Sequence, residues 1–171
     1  MTPSAKYANL PFDEAIETLR RRGELRLPTA TWNDLTRDMH GRAFVVAGAV
    51  KDELLSDLFS EVMKGVRDGT TLREFRKNFD DIVRRAGWKY KGGKGWRTAT
   101  IFNTNLSTTY ASGHWKRMTD RDVIKSRPFL RYVASSSRNP RSEHMQWYNL
   151  VLPADDPFWQ THTPPNGWGC K

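Results

Sequence analysis

The sequence predicts an α+β fold that is mainly helical: a helical body over residues 1–125 and a small, loop-rich C-terminal lobe over 126–171 containing a short β element. Three observations lead there. Apolar residues recur at three- and four-residue steps through 50–67 and again through 72–86, the mark of amphipathic helices that must bury a stripe. The segment 129–135, Phe-Leu-Arg-Tyr-Val-Ala-Ser, alternates instead, which suits a strand. From Arg141 onward, Pro153, Pro157 and the Pro164–Pro165 pair each remove an amide donor and block helix propagation.

Residues 1–10 carry no period and read as an arm. Pro11 suits a first helical position, and Phe12, Ala15, Ile16 and Leu19 follow at helical spacing, giving a helix to about Arg22 that ends at Gly23. Arg20, Arg21 and Arg22 near its end either complement the helix dipole as a solvated face or contact phosphate. An extended connector around Pro28 leads to a short helix marked by Trp32, Leu35 and Met39, with Thr31 as N-cap and Gly41 as its close. Phe-Val-Val-Ala-Gly-Ala-Val (44–50) fits a buried helix start or a tightly packed turn better than a strand.

The first long helix runs over 50–67. Val50, Leu54, Leu58 and Val62 lie on its apolar side, Asp57, Glu61 and Lys64 on the other, and Gly69 ends it. Thr71-Leu72-Arg73-Glu74 is a capping box opening the second, 72–86, and so short a link makes the two an antiparallel pair. A third helix is expected over 97–119. Its middle is poor in strong helix formers, and Ile101, Asn105, Thr108 or Thr109 and Ser112 share a face of small groups suited to close approach by the C-terminal lobe or a partner. Ser112 and His114 do not make a nucleophile–base pair, because residues two apart on a helix face different ways. In the lobe, Leu150–Leu152 is the candidate partner strand for 129–135, and Arg141–Trp147 a short helix.

Charge and composition narrow the function classes. With 28 basic and 19 acidic residues the chain carries +9, which favours anionic partners such as nucleic acid. Gly87–Trp96, GWKYKGGKGW, interleaves Lys89, Lys91 and Lys94 with aromatic rings just before Arg97, as a single-stranded or backbone contact requires. The alternative is a loop whose two tryptophans plug the core on either side. No strand precedes its glycines and no Gly-Lys-Ser/Thr follows, so it is not a phosphate cradle. A run of about 18 apolar residues and a secretory leader pattern are both missing, so no membrane partner is expected. The single cysteine, Cys170, allows no internal disulfide and suits a reducing compartment.

The chain's most distinctive stretch is Arg141–Lys171, dense in Trp, Phe and His. It holds an Arg141-x-x-His144 step, then Val-Leu-Pro-Ala-Asp155-Asp156-Pro157-Phe158-Trp159, then Pro164-Pro165-Asn166-Gly167-Trp168-Gly169-Cys170. This line resembles the C-terminal signature of the bacteriophage Mu F-like minor head proteins, the phage head morphogenesis family. The upstream helices and AFVVAG (43–48) are similar as well. Two departures stand out: the family's Cys-x-Cys ending is here Cys170 followed by Lys171, and SSSRN (135–139) offers serine where an acid is common. The resemblance implies a structural, non-enzymatic minor head protein inside the capsid near the portal. Its partners would be the portal protein, other head proteins and packaged double-stranded DNA contacted without sequence preference. It would be made in the host cytoplasm and act without a small-molecule substrate.

The alternatives are a stand-alone nucleic-acid-binding module, resting on the charge and the 87–96 loop, and a metal-dependent hydrolase or nuclease using His144, His162, Asp155, Asp156 and Cys170. Zinc on His144, His162 and Cys170 has acceptable ligand types, but their spacing matches no standard finger. Adjacent carboxylates followed by proline more often form a turn than a metal pair. The expectation is therefore no cofactor and a structural role, with Arg141 and His144 bonding the carboxylates of Asp155 and Asp156.

Overall fold

The computed structural model describes residues 12–36, 39, 42–134 and 136–166. The chain is α+β and predominantly helical, with a helical body followed by a small lobe built on a two-stranded antiparallel sheet. Helix α1 (Asp13–Glu24) carries acidic residues in its first turn and Arg21 and Arg22 in its last, as the macrodipole favours. Ala15 and Leu19 are fully buried on its inner side. Pro11 lies outside the described residues. Gly23 does not end the helix as expected: it lies within it, and a Cβ there would stand 2.2 Å from Cζ of Phe59. Its missing side chain serves interhelical contact, and the helix runs one residue further.

The connector that follows is extended. The amide of Phe44 donates to the carbonyls of Arg22 and Leu25, each at 2.9 Å, and Arg26 and Phe44 form an isolated parallel bridge. The helix expected through Trp32, Leu35 and Met39 is broken: Trp32–Asp34 make one 3-10 turn opened by a capping box between Thr31 and Asp34, Leu35 is extended, and Met39 is helical again, its carbonyl taking the Ala43 amide at 2.9 Å. Gly41 lies outside the described residues. Ala43–Val46 and Ala49 are buried around a turn in which Gly48 has φ 84°, so the packed-turn reading holds.

Helices α2 (Asp52–Asp68) and α3 (Leu72–Ala86) pack as an antiparallel pair. Lys51 bonds the Ala86 carbonyl, Arg85 bonds Asp57 and Asn78 bonds Glu61, so one helix descends as the other rises. Gly69 closes α2 in the left-handed conformation, and Thr71 and Glu74 cap α3 reciprocally. Two residues depart from the expected pattern. Val50 precedes α2 and is 59% exposed. Glu61, assigned by periodicity to the polar face, is buried and held by Lys64 and Asn78.

Helix α4 (Lys94–Met118) starts three residues before the expected Arg97 and threads the body. Its face of small groups, including Asn105, Thr109 and Gly113, is buried as expected. That face packs against α1 and α2 instead of the C-terminal lobe: a Cβ on Gly113 would meet the Ala15 backbone, and one on Gly65 would meet the ring of Phe102. The core is completed by Phe44, Leu54, Leu55, Leu58, Phe75 and Phe79.

Helix α5 (Arg121–Ser126), capped by Asp120, turns the chain into the lobe. There β1 (Phe129–Arg131) pairs with β2 (Val151–Pro153), with Leu130 opposite Leu152. Bonds from Tyr132 N to the Leu150 carbonyl and from Ala154 N to the Pro128 carbonyl extend the ladder at both ends. Between the strands lies α6 (Ser142–Met145), and after them α7 (Phe158–His162). Trp115 and Met118, at the end of α4, reach the lobe and share a cleft with Leu130 and Trp159.

Candidate functional site

The signature residues fold onto one another, and the centre of their packing is Tyr132, which is 5% exposed at the end of β1. Its ring meets those of Trp147, Tyr148, Phe158 and Trp159 at centroid distances of 5.6–6.5 Å. Such contacts are worth about 0.5–1.5 kcal/mol each beyond area burial, so the cluster is a small core in its own right. Trp159 is also buried, and its indole N–H donates to the Pro153 carbonyl at 2.9 Å, tying α7 to the end of β2.

Asp156 and Pro157 lead into that helix. The Asp156 carboxylate accepts from the Phe158 amide at 2.8 Å, an Asx turn, while Asp155 is exposed. The adjacent acids therefore make a turn. Arg141, at the N-cap of α6, donates to the Asn166 carbonyl at 3.3 Å, and His144 stacks on Trp147 at 5.1 Å. The expected bonds from Arg141 and His144 to the two carboxylates are replaced by these contacts, because Asp156 serves its own turn. Pro164 and Pro165 are joined by a cis peptide, and Asn166 donates through its side-chain amide to Tyr132 Oη at 3.0 Å and to the His162 carbonyl at 2.8 Å. Gly167 and Cys170 lie outside the described residues.

Tyr132 and Asn166 hold the lobe together; sequence reading places Asn166 in the signature run but does not give its bond to Tyr132, and it does not single out Tyr132. Their signals were present but weak: an aromatic closing an alternating strand, and an Asn-Gly step after two prolines.

The two histidines flank one indole. His162 meets Trp147 edge-on at 4.5 Å and stacks on Phe158 at 4.1 Å, and its Nδ1 lies 3.0 Å from the Phe158 carbonyl. Among the described residues no three His, Cys, Asp or Glu side chains converge as a metal would require. No helix there is long and apolar enough to cross a membrane.

The seven basic candidates divide sharply. Arg20 pairs with Glu17 and Glu24, and Arg21 with Glu17. Bonds from Arg20 and then Arg21 pull the Glu17 carboxyl down to about 2. Arg22 is buried, donating to the Ala43 carbonyl and to Asn105 Oδ1, each at 3.4 Å through Nε and Nη2; burial lowers its pKa to about 10. Arg97 is buried too. Its guanidinium lies 5.2 Å over the Trp88 ring and bonds the Ala47 carbonyl, and desolvation pushes its pKa down. Lys94 pairs with Asp80. Lys89 and Lys91 stand exposed. Only one of the loop's tryptophans plugs the core: Trp88 packs on Phe79 and bonds the Gly48 carbonyl at 2.7 Å, while Trp96 is 62% exposed.

Comparison with known proteins agrees with the architecture of the signature. The family model described as Phage Mu protein F like protein matches residues 56–171, from α2 through the whole lobe. The putative capsid assembly protein F of Escherichia phage Mu is 34% identical over 98% of this chain and 40% of its own length. The Mu-like prophage FluMu F protein of Haemophilus influenzae is 31% identical over 84% of this chain and 36% of its own length. The chain thus spans about two-fifths of the curated relatives it matches. No solved structure matches. With more than half its length matched, including every part of the lobe, the chain belongs to the phage Mu protein F-like family.

Proposed function

We propose that this chain acts structurally in the assembly of a tailed-phage or prophage head, as a minor head protein inside the capsid near the portal. It is made in the host cytoplasm and contacts packaged DNA without sequence preference. The observation that carries this reading is its similarity, along nearly the whole chain, to a protein named for capsid assembly. The lobe supports a structural role: its signature rings, turn carboxylate and amide bond one another, as parts of a scaffold do. The net charge of +9 suits an anionic neighbour, and Lys89 and Lys91 are the members of the expected basic set that are exposed without an ion pair among the described residues.

Particles purified from producing cells, washed in high salt and analysed by mass spectrometry provide the test. Retention at low, sub-stoichiometric copy number is the expected result. A protein found free in the cytosol and absent from particles would overturn the proposal.

A further inference from the structure

We infer that the free edge of β1 takes an extended, acidic peptide segment of a partner protein, which seats one apolar side chain in the cleft beside Trp115. Three features of the lobe define that occupant.

The first is the ladder. Pro128, Leu130 and Tyr132 bond toward β2, so the alternation of an antiparallel pair turns the backbone groups of Phe129 and Arg131 away from it. Among the described residues the sheet has two strands, and this edge is unpaired. A row of unpaired amides and carbonyls is a template for another strand.

The second is the cleft. It measures about 230 Å³ and is lined by the consecutive residues Leu130–Val133 together with Trp115, Met118 and Trp159. Side chains of consecutive strand residues point to opposite faces, so a cleft touching all four follows the strand's edge. No β2 residue lines it, which places it on the unpaired side. Its volume falls below the roughly 300–1,000 Å³ of small-molecule pockets and suits one large apolar side chain. Val133, one of these four consecutive residues, is 66% exposed.

The third is charge. Arg127 and Arg131 are exposed along this edge, and neither has an ion pair among the described residues. A second copy pairing edge to edge would set Arg131 near its own equivalent on a chain already at +9, and like charges directly opposite destabilise a strand pair. A segment with Glu or Asp at alternate positions meets both arginines while its apolar positions face the cleft.

The test uses the full chain and two fluorescein-labelled probes, peptides alternating Val with Glu and Val with Lys. The Val–Glu peptide is expected to bind at least ten-fold more tightly than its Lys counterpart. Arg131→Glu should weaken it about ten-fold, and N-methylation at alternate peptide amides should abolish binding. On binding, the Phe129 and Arg131 amides should become protected from hydrogen exchange. Equal affinity for the two peptides, binding indifferent to N-methylation, or no binding would overturn the proposal. So would a concentration-dependent dimer of the free chain that protects the same amides. Protection already present in the free chain and lost on removing residues 167–171 would assign the edge to the chain itself, and would overturn it equally.

Discussion

Gly113 on α4 lies so close to Ala15 on α1 that a Cβ at position 113 would stand 2.8 Å from the Ala15 amide nitrogen. The obstacle is backbone, which cannot swing aside, so the spacing of α1 and α4 depends on a missing side chain. Alanine would gain up to about 1 kcal/mol of helix propensity, and valine gains less while adding more bulk to the contact. Gly113→Val is expected to destabilise by about 1–3 kcal/mol through overpacking, a drop of several degrees in Tm for a chain this long. Gly95, on the same helix but with nothing within 4 Å of its would-be Cβ, is the control: Gly95→Ala should not lower Tm. Thermal melts of the two variants check the contrast.

The start of α3 rests on Thr71, whose hydroxyl accepts from the Glu74 amide while the Glu74 carboxylate takes the Thr71 amide at 2.8 Å. Thr71→Ala should cost about 0.5–2 kcal/mol. Thr71→Asn should recover most of it, because an amide oxygen also accepts at an N-cap. Urea unfolding of both variants, with unchanged m-values, measures the difference.

Much of the body was legible because its signals are local and periodic. The stripe of Leu54, Leu58 and Val62, the capping box at Thr71 and the glycine stop at Gly69 each translate directly into structure. The failures share a cause: the deciding partner is distant in sequence. Gly23 reads as a helix end until Phe59 is seen against it. Glu61 reads as solvated until Asn78, on the next helix, reaches its carboxylate. Arg20, Arg21 and Arg22 read as one basic cluster, yet a helix sends Arg22 inward to Asn105 while its neighbours pair with Glu17. In the lobe the first strand showed in its alternation, the second only as an apolar partner at Leu150–Leu152, and the turn in Asp156-Pro157. The central place of Tyr132 did not, because it depends on rings that lie 15 to 27 residues further along.

The Glu17 carboxyl gives a pH signature of the α1 surface. Its pKa is depressed to about 2 by Arg20 and Arg21, so its ion pairs stabilise the fold fully above the ordinary carboxylate range. That contribution falls away as pH drops from about 4.5 towards 2. NMR titration should place the Glu17 side-chain carbon at the low value in the parent chain. In Arg20→Ala, which removes the larger contribution, it should move up toward the usual range. An unmoved titration would show that the pairs do not persist in solution.

If packaged DNA is a partner, the basic residues should contribute unequally. Each phosphate contact adds about 0.9 to the slope of log affinity against log salt. Lys89→Ala with Lys91→Ala should lower that slope by about 2 if each lysine meets one phosphate. Arg20→Ala with Arg21→Ala should change it less, since those cations are already engaged by Glu17 and Glu24. Fluorescence anisotropy with duplex DNA of unrelated sequences, titrated across salt concentrations, separates the two variants.

The lobe should open without the body. It has its own aromatic cluster around Tyr132, and the small-residue face of α4 is occupied by α1. Trp159→Phe keeps a ring in the cluster but leaves the Pro153 carbonyl without its indole donor. The Pro153 carbonyl keeps the Asp156 amide as a donor, so the loss is that of one hydrogen bond, about 0.5–1.5 kcal/mol, and it should fall on the lobe alone, because local opening draws only on the contacts it breaks. Asp156→Ala removes the acceptor for the Phe158 amide and should act in the same region by about 1 kcal/mol. In both variants hydrogen exchange should quicken at Tyr132 and Ala154, whose amides close the two ends of the β ladder. Amides of Leu58 and Val62 in α2 should exchange as in the parent. Faster exchange throughout α2 would mean that lobe and body unfold as one cooperative unit, and the aromatic cluster would then have to be counted as part of the main core.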